Sequence, residues 1–220
     1  MQKTISILGC GWVGQALKKK LDTTYTVHCL SRSMQENEKN DVYNCDTLLI
    51  AIPPRENYLE VLTKTLAKIN PETQVIFLSS TSFYDGKTLV VQGETLIQEL
   101  HKTVLILRLS GLMGYKRIAG RYSAGKTKAH DARVNYVHRD DVVQIIKLCI
   151  EREERSNIFN VTAPMHPKQS EVFRQNAKKF SWEESYFESD KVLGKLVSSE
   201  KLVAYFQYEF LKPNPLEFWT

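Results

Sequence analysis

Three glycines stand in the pattern G-x-G-x-x-G, as Gly9-Cys10-Gly11-Trp12-Val13-Gly14. A pattern this short also serves ordinary turns, so its neighbours decide what it does. Before it runs Thr4-Ile5-Ser6-Ile7-Leu8, apolar and β-branched as a buried parallel strand is. After it, Val13, Ala16, Leu17 and Leu21 recur at helical spacing, opposite Lys18, Lys19 and Lys20. In that strand–loop–helix setting Gly9 makes the tight turn and Gly11 lets the backbone approach a pyrophosphate. Gly14 lets the helix pack on the sheet. The N–H groups of the first helical turn, at Trp12 and Val13, then face the anion. The pattern reads as a dinucleotide loop.

The end of the next strand separates the two nicotinamide dinucleotides. An NAD-preferring site places an acid about 20 residues after the loop, where it accepts the ribose hydroxyls. Here the chain reads Val27-His28-Cys29-Leu30-Ser31-Arg32-Ser33, with no acid. Arg32 can hydrogen-bond a 2′-phosphate, with Ser31 and Ser33 adding hydroxyl donors. Alternatively, Arg32 is a solvated loop cation. NADP is the expected cofactor, and NAD the alternative.

Other polar residues are candidates for chemistry. Ser80 and Tyr84 directly follow the apolar run 75–78, at the carboxyl end of an expected strand. Arg117, Arg121 and Lys126 lie in a Gly- and Arg-rich loop and could bind an anionic substrate, or be ordinary loop charge. His138 is expected to pack beneath a helix starting at Asp140 or Asp141, whose carboxylates suit the helix dipole. The cysteines Cys10, Cys29, Cys45 and Cys149 form no C-x-x-C pair and are expected as reduced thiols. The five histidines form no H-x-x-x-H or His/Cys cluster, so no metal site is expected.

These residues need a scaffold. Further strands are expected at 25–31, 47–52 (closed by Pro53-Pro54), 75–78, 104–107 and around 157–161. Helices are expected after Pro54, with Tyr58, Leu59, Leu62, Leu66 and Ile69 on one face, at 94–100, and from Asp140 or Asp141. Strands alternating with helices mean an α/β chain of Rossmann type, a doubly wound parallel sheet. Residues 32–44 are too few for a crossover plus a normal strand, so the 25–30 strand is expected at or next to the sheet edge. A single compact unit is expected. Its core takes in about 1–110 and 135–162, and a small C-terminal substrate-side lobe takes in about 111–134 and 163–220.

Composition narrows the partners. With 42% hydrophobic and 25% charged residues, the chain is composed as a globular protein. Its longest apolar run, 48–52, is far short of the roughly 18 residues of a membrane helix. Glycines and Lys18-Lys19-Lys20 break the N-terminal stretch before any signal-peptide apolar region forms, so a cytoplasmic address is expected. The net charge of +5 is mild and no segment interleaves basic and aromatic residues, which speaks against nucleic-acid binding. The expected partner is a small-molecule substrate, with no nucleic acid and no membrane, for a monomer or homodimer.

Several segments together resemble the NAD-dependent epimerase/dehydratase branch of the short-chain dehydrogenases/reductases. They are Gly9 to Gly14, Leu49-Ile50-Ala51-Ile52-Pro53-Pro54, Leu78-Ser79-Ser80-Thr81-Ser82-Phe83-Tyr84 and Leu107-Arg108-Leu109-Ser110-Gly111-Leu112-Met113-Gly114. Asn135-Tyr136-Val137-His138-Arg139-Asp140-Asp141-Val142 and Phe159-Asn160-Val161 continue the series. The resemblance implies that Ala51, Ile52 and Pro53 line the cofactor. It also implies that Ser80 hydrogen-bonds the reacting substrate oxygen, and that the stretch from Pro167 is the substrate-side lobe. One feature departs from the family. Its catalytic Y-x-x-x-K pair, aligned through Glu94, falls on Gly86 and Val90, which have no acid–base atom. Tyr122…Lys126 and Tyr208…Lys212 match the spacing outside the expected helix and read as coincidence. Tyr84, with Lys87 close behind, either replaces the acid or stacks on nicotinamide. Two functions follow: an atypical NADP-dependent oxidoreductase or epimerase acting on a sugar-like or anionic molecule, or a non-catalytic NADP(H)-sensing protein.

Overall fold

A computed structural model describes residues 2–30, 42–189 and 191–219. The chain groups into two compact units. Unit 1 comprises Met1–Arg108 and Val143–Phe159, and unit 2 comprises Leu109–Val142 and Asn160–Thr220.

The first unit is built from β1 (Thr4–Leu8), α1 (Trp12–Leu21), β2 (Thr26–Leu30), β3 (Thr47–Ile50) and α2 (Tyr58–Leu66). There follow β4 (Gln74–Ser80), a 3-10 turn (Thr81–Asp85), α3 (Thr88–Leu100) and β5 (Leu105–Leu109). Helix α4 (Arg139–Glu151) and strand β10 (Ile158–Val161) complete the pattern. The strands form one sheet in the order β10-β5-β4-β3-β1-β2, with β2 outermost among the described residues; most of the stretch 32–44, on which the expectation of a truncated edge rests, lies outside them. The chain passes from β1 to β2 on one side and returns to β3 on the other. The crevice between the carboxyl ends of β1 and β3 is therefore a topological switch point, where open α/β sheets bind ligands. Register makes these ends level, because Leu8 pairs with both Leu30 and Ile50.

Burial explains the strand sequences. All four residues of β3 are buried, as are Val75, Ile76 and Phe77 of β4 and all of β5. That is the continuous apolar run of a sheet covered on both faces. Helix α1 turns Val13, Gly14, Leu17 and Leu21 inward and ends in three lysines, which complement its C-terminal dipole. Helix α3 begins six residues before the expected Glu94. The β-branched and glycine-containing stretch Thr88 to Gly93 conceals this, since those residues favour helix weakly. Tertiary packing supplies what propensity lacks: a Cβ at Gly93 would stand 2.6 Å from the Tyr58 ring, so the glycine exists for close approach of α2.

The second unit carries three two-stranded parallel ladders. They pair β6 (Gly111–Met113) with β9 (Tyr136–His138), β7 (Thr127–Lys128) with β11 (Tyr186–Phe187), and β8 (Asp131–Ala132) with β12 (Val192–Leu193). Helix α5 (Gln169–Phe180) buries Val172 and Phe173 against Ala119 and Val134. Asp141 caps a C-terminal turn, accepting from the Tyr208 hydroxyl at 2.8 Å and the Leu211 and Lys212 amides at 2.7 and 3.1 Å. Tyr208 is thus structural. His138 is fully buried and its Nδ1 accepts from the Asp140 amide at 3.2 Å, the packing role expected for it.

Candidate functional site

The dinucleotide loop has the geometry its sequence demands. Gly9 has φ +98°, and a Cβ there would lie 2.7 Å from the Ala51 carbonyl oxygen, so the loop turns tightly against the end of β3. The Ala51 amide donates to Leu8 O at 2.8 Å, joining the two walls of the switch point. A Cβ on Gly14 would stand 2.7 Å from Gly9 O, which ties the helix to the loop. Gly11 differs. A Cβ there meets nothing within 4 Å among the described residues, so no packing against them demands a glycine. The open space lies at the start of α1, whose N-cap makes no side-chain hydrogen bond and whose first turn carries no acid. An uncapped helix end beside a bare backbone suits a pyrophosphate. Trp12 and Ile52 are half-buried, Val13 is buried and Pro53 exposed, all in the same unit as the loop. Ser31, Arg32 and Ser33 lie outside the described residues.

Cys10 and Cys29 correct an expectation. They are joined as a disulfide, with Cα atoms 5.6 Å apart, whereas Cys45 and Cys149 are free and buried. Burial pushes the thiols of Cys45 and Cys149 up, that of Cys149 to about 12. Nothing in the spacing of Cys10 and Cys29 marks the pair; the turn at Gly9 brings the loop back over β2.

A polar cluster sits after β4. Ser80 Oγ accepts from the Ser82 amide at 3.2 Å and the Ser82 hydroxyl at 2.9 Å, opening the 3-10 turn that carries Tyr84. Glu94, 1% exposed, accepts from Ser79 Oγ at 2.5 Å and from Arg108 Nε and Nη2, the latter at 2.7 Å. Arg108 Nη1 donates to the Tyr84 hydroxyl at 3.1 Å, and its guanidinium lies 3.6 Å from the centre of the Phe83 ring. Burial works against the Arg108 charge, but hydrogen bonds to Glu94 and Tyr84 outweigh it and hold the guanidinium above its ordinary value. Tyr84 itself is 47% exposed. A buried ion pair therefore grips a phenol whose other side meets solvent. Glu94 and Arg108 were not among the sequence candidates, although each is a lone charge in an apolar stretch of adjacent elements, which is a signal for a buried pair.

The remaining candidates fall as follows. Gly86 has φ +67° and ends the 3-10 turn, while Val90 is buried in α3. Arg117, Arg121 and Lys126 are exposed residues of the second unit. Tyr122 is 86% exposed in a short 3-10 turn.

No protein-family model matches the chain. Protein YeeZ of Escherichia coli K12 is 27% identical, over 97% of this chain and 98% of YeeZ. A protein of Methylobacillus flagellatus, described as a candidate NAD-dependent epimerase/dehydratase, superposes with a TM-score of 0.81. It shares 21% identity, over 99% of this chain and 96% of that one. The fold is that of the NAD-dependent epimerases and dehydratases. Two more distant structures of this epimerase/dehydratase type bear nicotinamide dinucleotides. Human epimerase family protein SDR39U1 with NADPH matches at TM-score 0.73 and 13% identity, over 98% of this chain and 97% of that one. Bacillus cereus UDP-glucuronic acid 4-epimerase with NAD matches at 0.74 and 14%, over 98% and 95%. The fold expected from the sequence, and its resemblance to the epimerase/dehydratase type, are thus confirmed.

Proposed function

We propose that this chain is a nicotinamide-dependent oxidoreductase or epimerase, preferring NADP, that acts on a small sugar-like or anionic molecule without the usual Tyr-x-x-x-Lys pair. One observation carries the reading: the Glu94–Arg108 pair holds the Tyr84 phenol after the Ser80 turn, at the carboxyl end of a central strand. The dinucleotide, held by Gly9, Gly11, Gly14 and the start of α1, supplies the hydride acceptor or donor. Ser80 Oγ, already accepting from Ser82, has its own proton to donate to a substrate oxygen. Tyr84 exchanges a proton with that oxygen, and Arg108 Nη1 stabilises the phenolate left behind, as a lysine does in the usual arrangement. Arg117 and Arg121 are donors suited to an anionic group on the substrate.

A second reading rests on Gly86 and Val90, where the family's dyad would fall: the chain binds NADP(H) as a sensor and turns nothing over. Incubation with NADP⁺ or NADPH and a panel of sugars, sugar nucleotides and small carbonyl compounds, followed by nicotinamide absorbance and by product epimerisation, separates the two. Turnover that falls about 10²–10⁴-fold in Tyr84→Phe supports the enzyme. Tight NADPH binding with no turnover on any compound favours the sensor.

A further inference from the structure

We propose that Cys10 and Cys29 form a reversible thiol–disulfide modification site that controls occupancy of the dinucleotide loop. The inference rests on the dinucleotide reading given above. Of the four cysteines, Cys45 and Cys149 are buried, with thiols pushed up by desolvation, and such groups are poor nucleophiles. Cys10 and Cys29 are only half-buried and so within reach of a solvent-borne oxidant. Their Cα separation of 5.6 Å lies within the range of about 4.4–6.8 Å that a disulfide spans without backbone movement.

Their place in the fold gives the pair a consequence. Cys10 stands between the first two glycines of the loop. Cys29 lies on the outermost strand among the described residues, in register with Ile7 of β1. In a doubly wound sheet the adenosine half of a dinucleotide passes between this loop and the end of the second strand. The two sulfurs thus belong to the two walls of that passage. As thiols they rest at van der Waals distance, about 3.5–4 Å. As a disulfide they close to about 2 Å. Oxidation therefore pins the loop to β2 across that passage, with the bond itself standing where the adenosine half must enter. It also locks a 19-residue span that includes all of α1.

The chemistry balances with a low-molecular-weight disulfide as oxidant. The Cys10 thiolate attacks one sulfur of glutathione disulfide, forming a mixed disulfide and releasing one glutathione thiolate. The Cys29 thiolate then attacks Cys10 Sγ and expels the second. Two protein thiols and one glutathione disulfide become one protein disulfide and two glutathione molecules, and an excess of thiol reverses the exchange.

The test uses the whole chain, reduced or treated with glutathione disulfide. Thiols are counted by alkylation and mass under denaturing conditions, and NADPH and NADH are titrated into each form by fluorescence. The expected result is a loss of two alkylatable thiols, with peptide mapping placing the bond at Cys10–Cys29. NADPH affinity should fall about tenfold or more on oxidation and return with thiol reductant. In Cys10→Ser and in Cys29→Ser the oxidant should leave NADPH affinity where it stood before treatment, whereas Cys149→Ser should keep the response. Equal or tighter binding by the oxidised form, or a lasting glutathione adduct in place of the internal bond, overturns the proposal. Failure of both nucleotides to bind in either form refutes the dinucleotide reading itself, and control of occupancy with it.

Discussion

Replacing Arg108 by alanine removes every hydrogen bond that the guanidinium makes to Glu94, at 3.0, 3.1 and 2.7 Å, and leaves a carboxylate that is 1% exposed without its countercharge. Removing one partner of a buried pair costs about 3–5 kcal/mol, because the remaining charge keeps its desolvation penalty and loses its compensation. Against a typical total of about 5–15 kcal/mol, that is a large fraction of the stability. The thermal midpoint should fall by about 6–20 °C, and the urea midpoint should fall with an unchanged slope. Glu94→Gln keeps the shape but leaves the guanidinium facing a neutral acceptor, so it should cost about 1.5–3 kcal/mol, the worth of a charge-assisted bond. The double variant Glu94→Leu/Arg108→Met, apolar and of similar volume, should cost less than Arg108→Ala alone, since neither charge is then stranded. Thermal and urea unfolding of the variants complete the comparison. Single variants within about 0.5 kcal/mol of the parent, or a double variant whose cost is the sum of the singles, would refute the reasoning.

NADPH should bind more tightly than NADH, and Arg32→Ala should remove most of the difference, about 1.5–3 kcal/mol, in parallel titrations. If turnover is found, Tyr122→Phe and Lys126→Ala should change kcat little, because an exposed loop suits gating better than proton transfer at fixed distance. A large loss in either variant would place the acid in that loop. His101 is buried, and desolvation together with the Arg155 charge pulls its imidazole below the ordinary value of 6.5. A histidine whose folded value is depressed contributes stability that is complete above 6.5 and declines as pH falls toward the folded value. Urea midpoints should therefore fall on acidification below pH 6.5, and His101→Gln should flatten that slope.

Much of the scaffold is legible in the residues because it rests on local rules. Gly9 and Gly14 announce a turn and a close helix, and both do what they announce. The apolar run Leu48-Leu49-Ile50 in β3 fixes a strand buried on both faces. What stayed hidden depends on contacts between distant positions. The start of α3 is concealed by Gly93, whose reason is the ring of Tyr58, thirty-five positions earlier in the chain. Glu94 reads as a helix residue and Arg108 as an oddity in a strand until the sheet sets them side by side. Cys10 and Cys29 share no recognised spacing, and only the return of the loop over β2 brings them within bonding range. The substrate side is least legible, since exposed arginines such as Arg117 and Arg121 look alike whether they serve a ligand or solvent.

Gly11→Ala is the most direct test of the dinucleotide site. The Cβ position of Gly11 is open among the described residues and its φ is negative, so alanine meets none of them and the thermal midpoint should not move by more than a few degrees. Any other effect must come from what occupies that space. Titrated with NADPH in the reduced state, wild type should bind and Gly11→Ala should bind at least about tenfold more weakly, because a methyl group stands where the pyrophosphate must approach. Equal affinities in wild type and variant would contradict the account, showing that the dinucleotide does not lie on this loop.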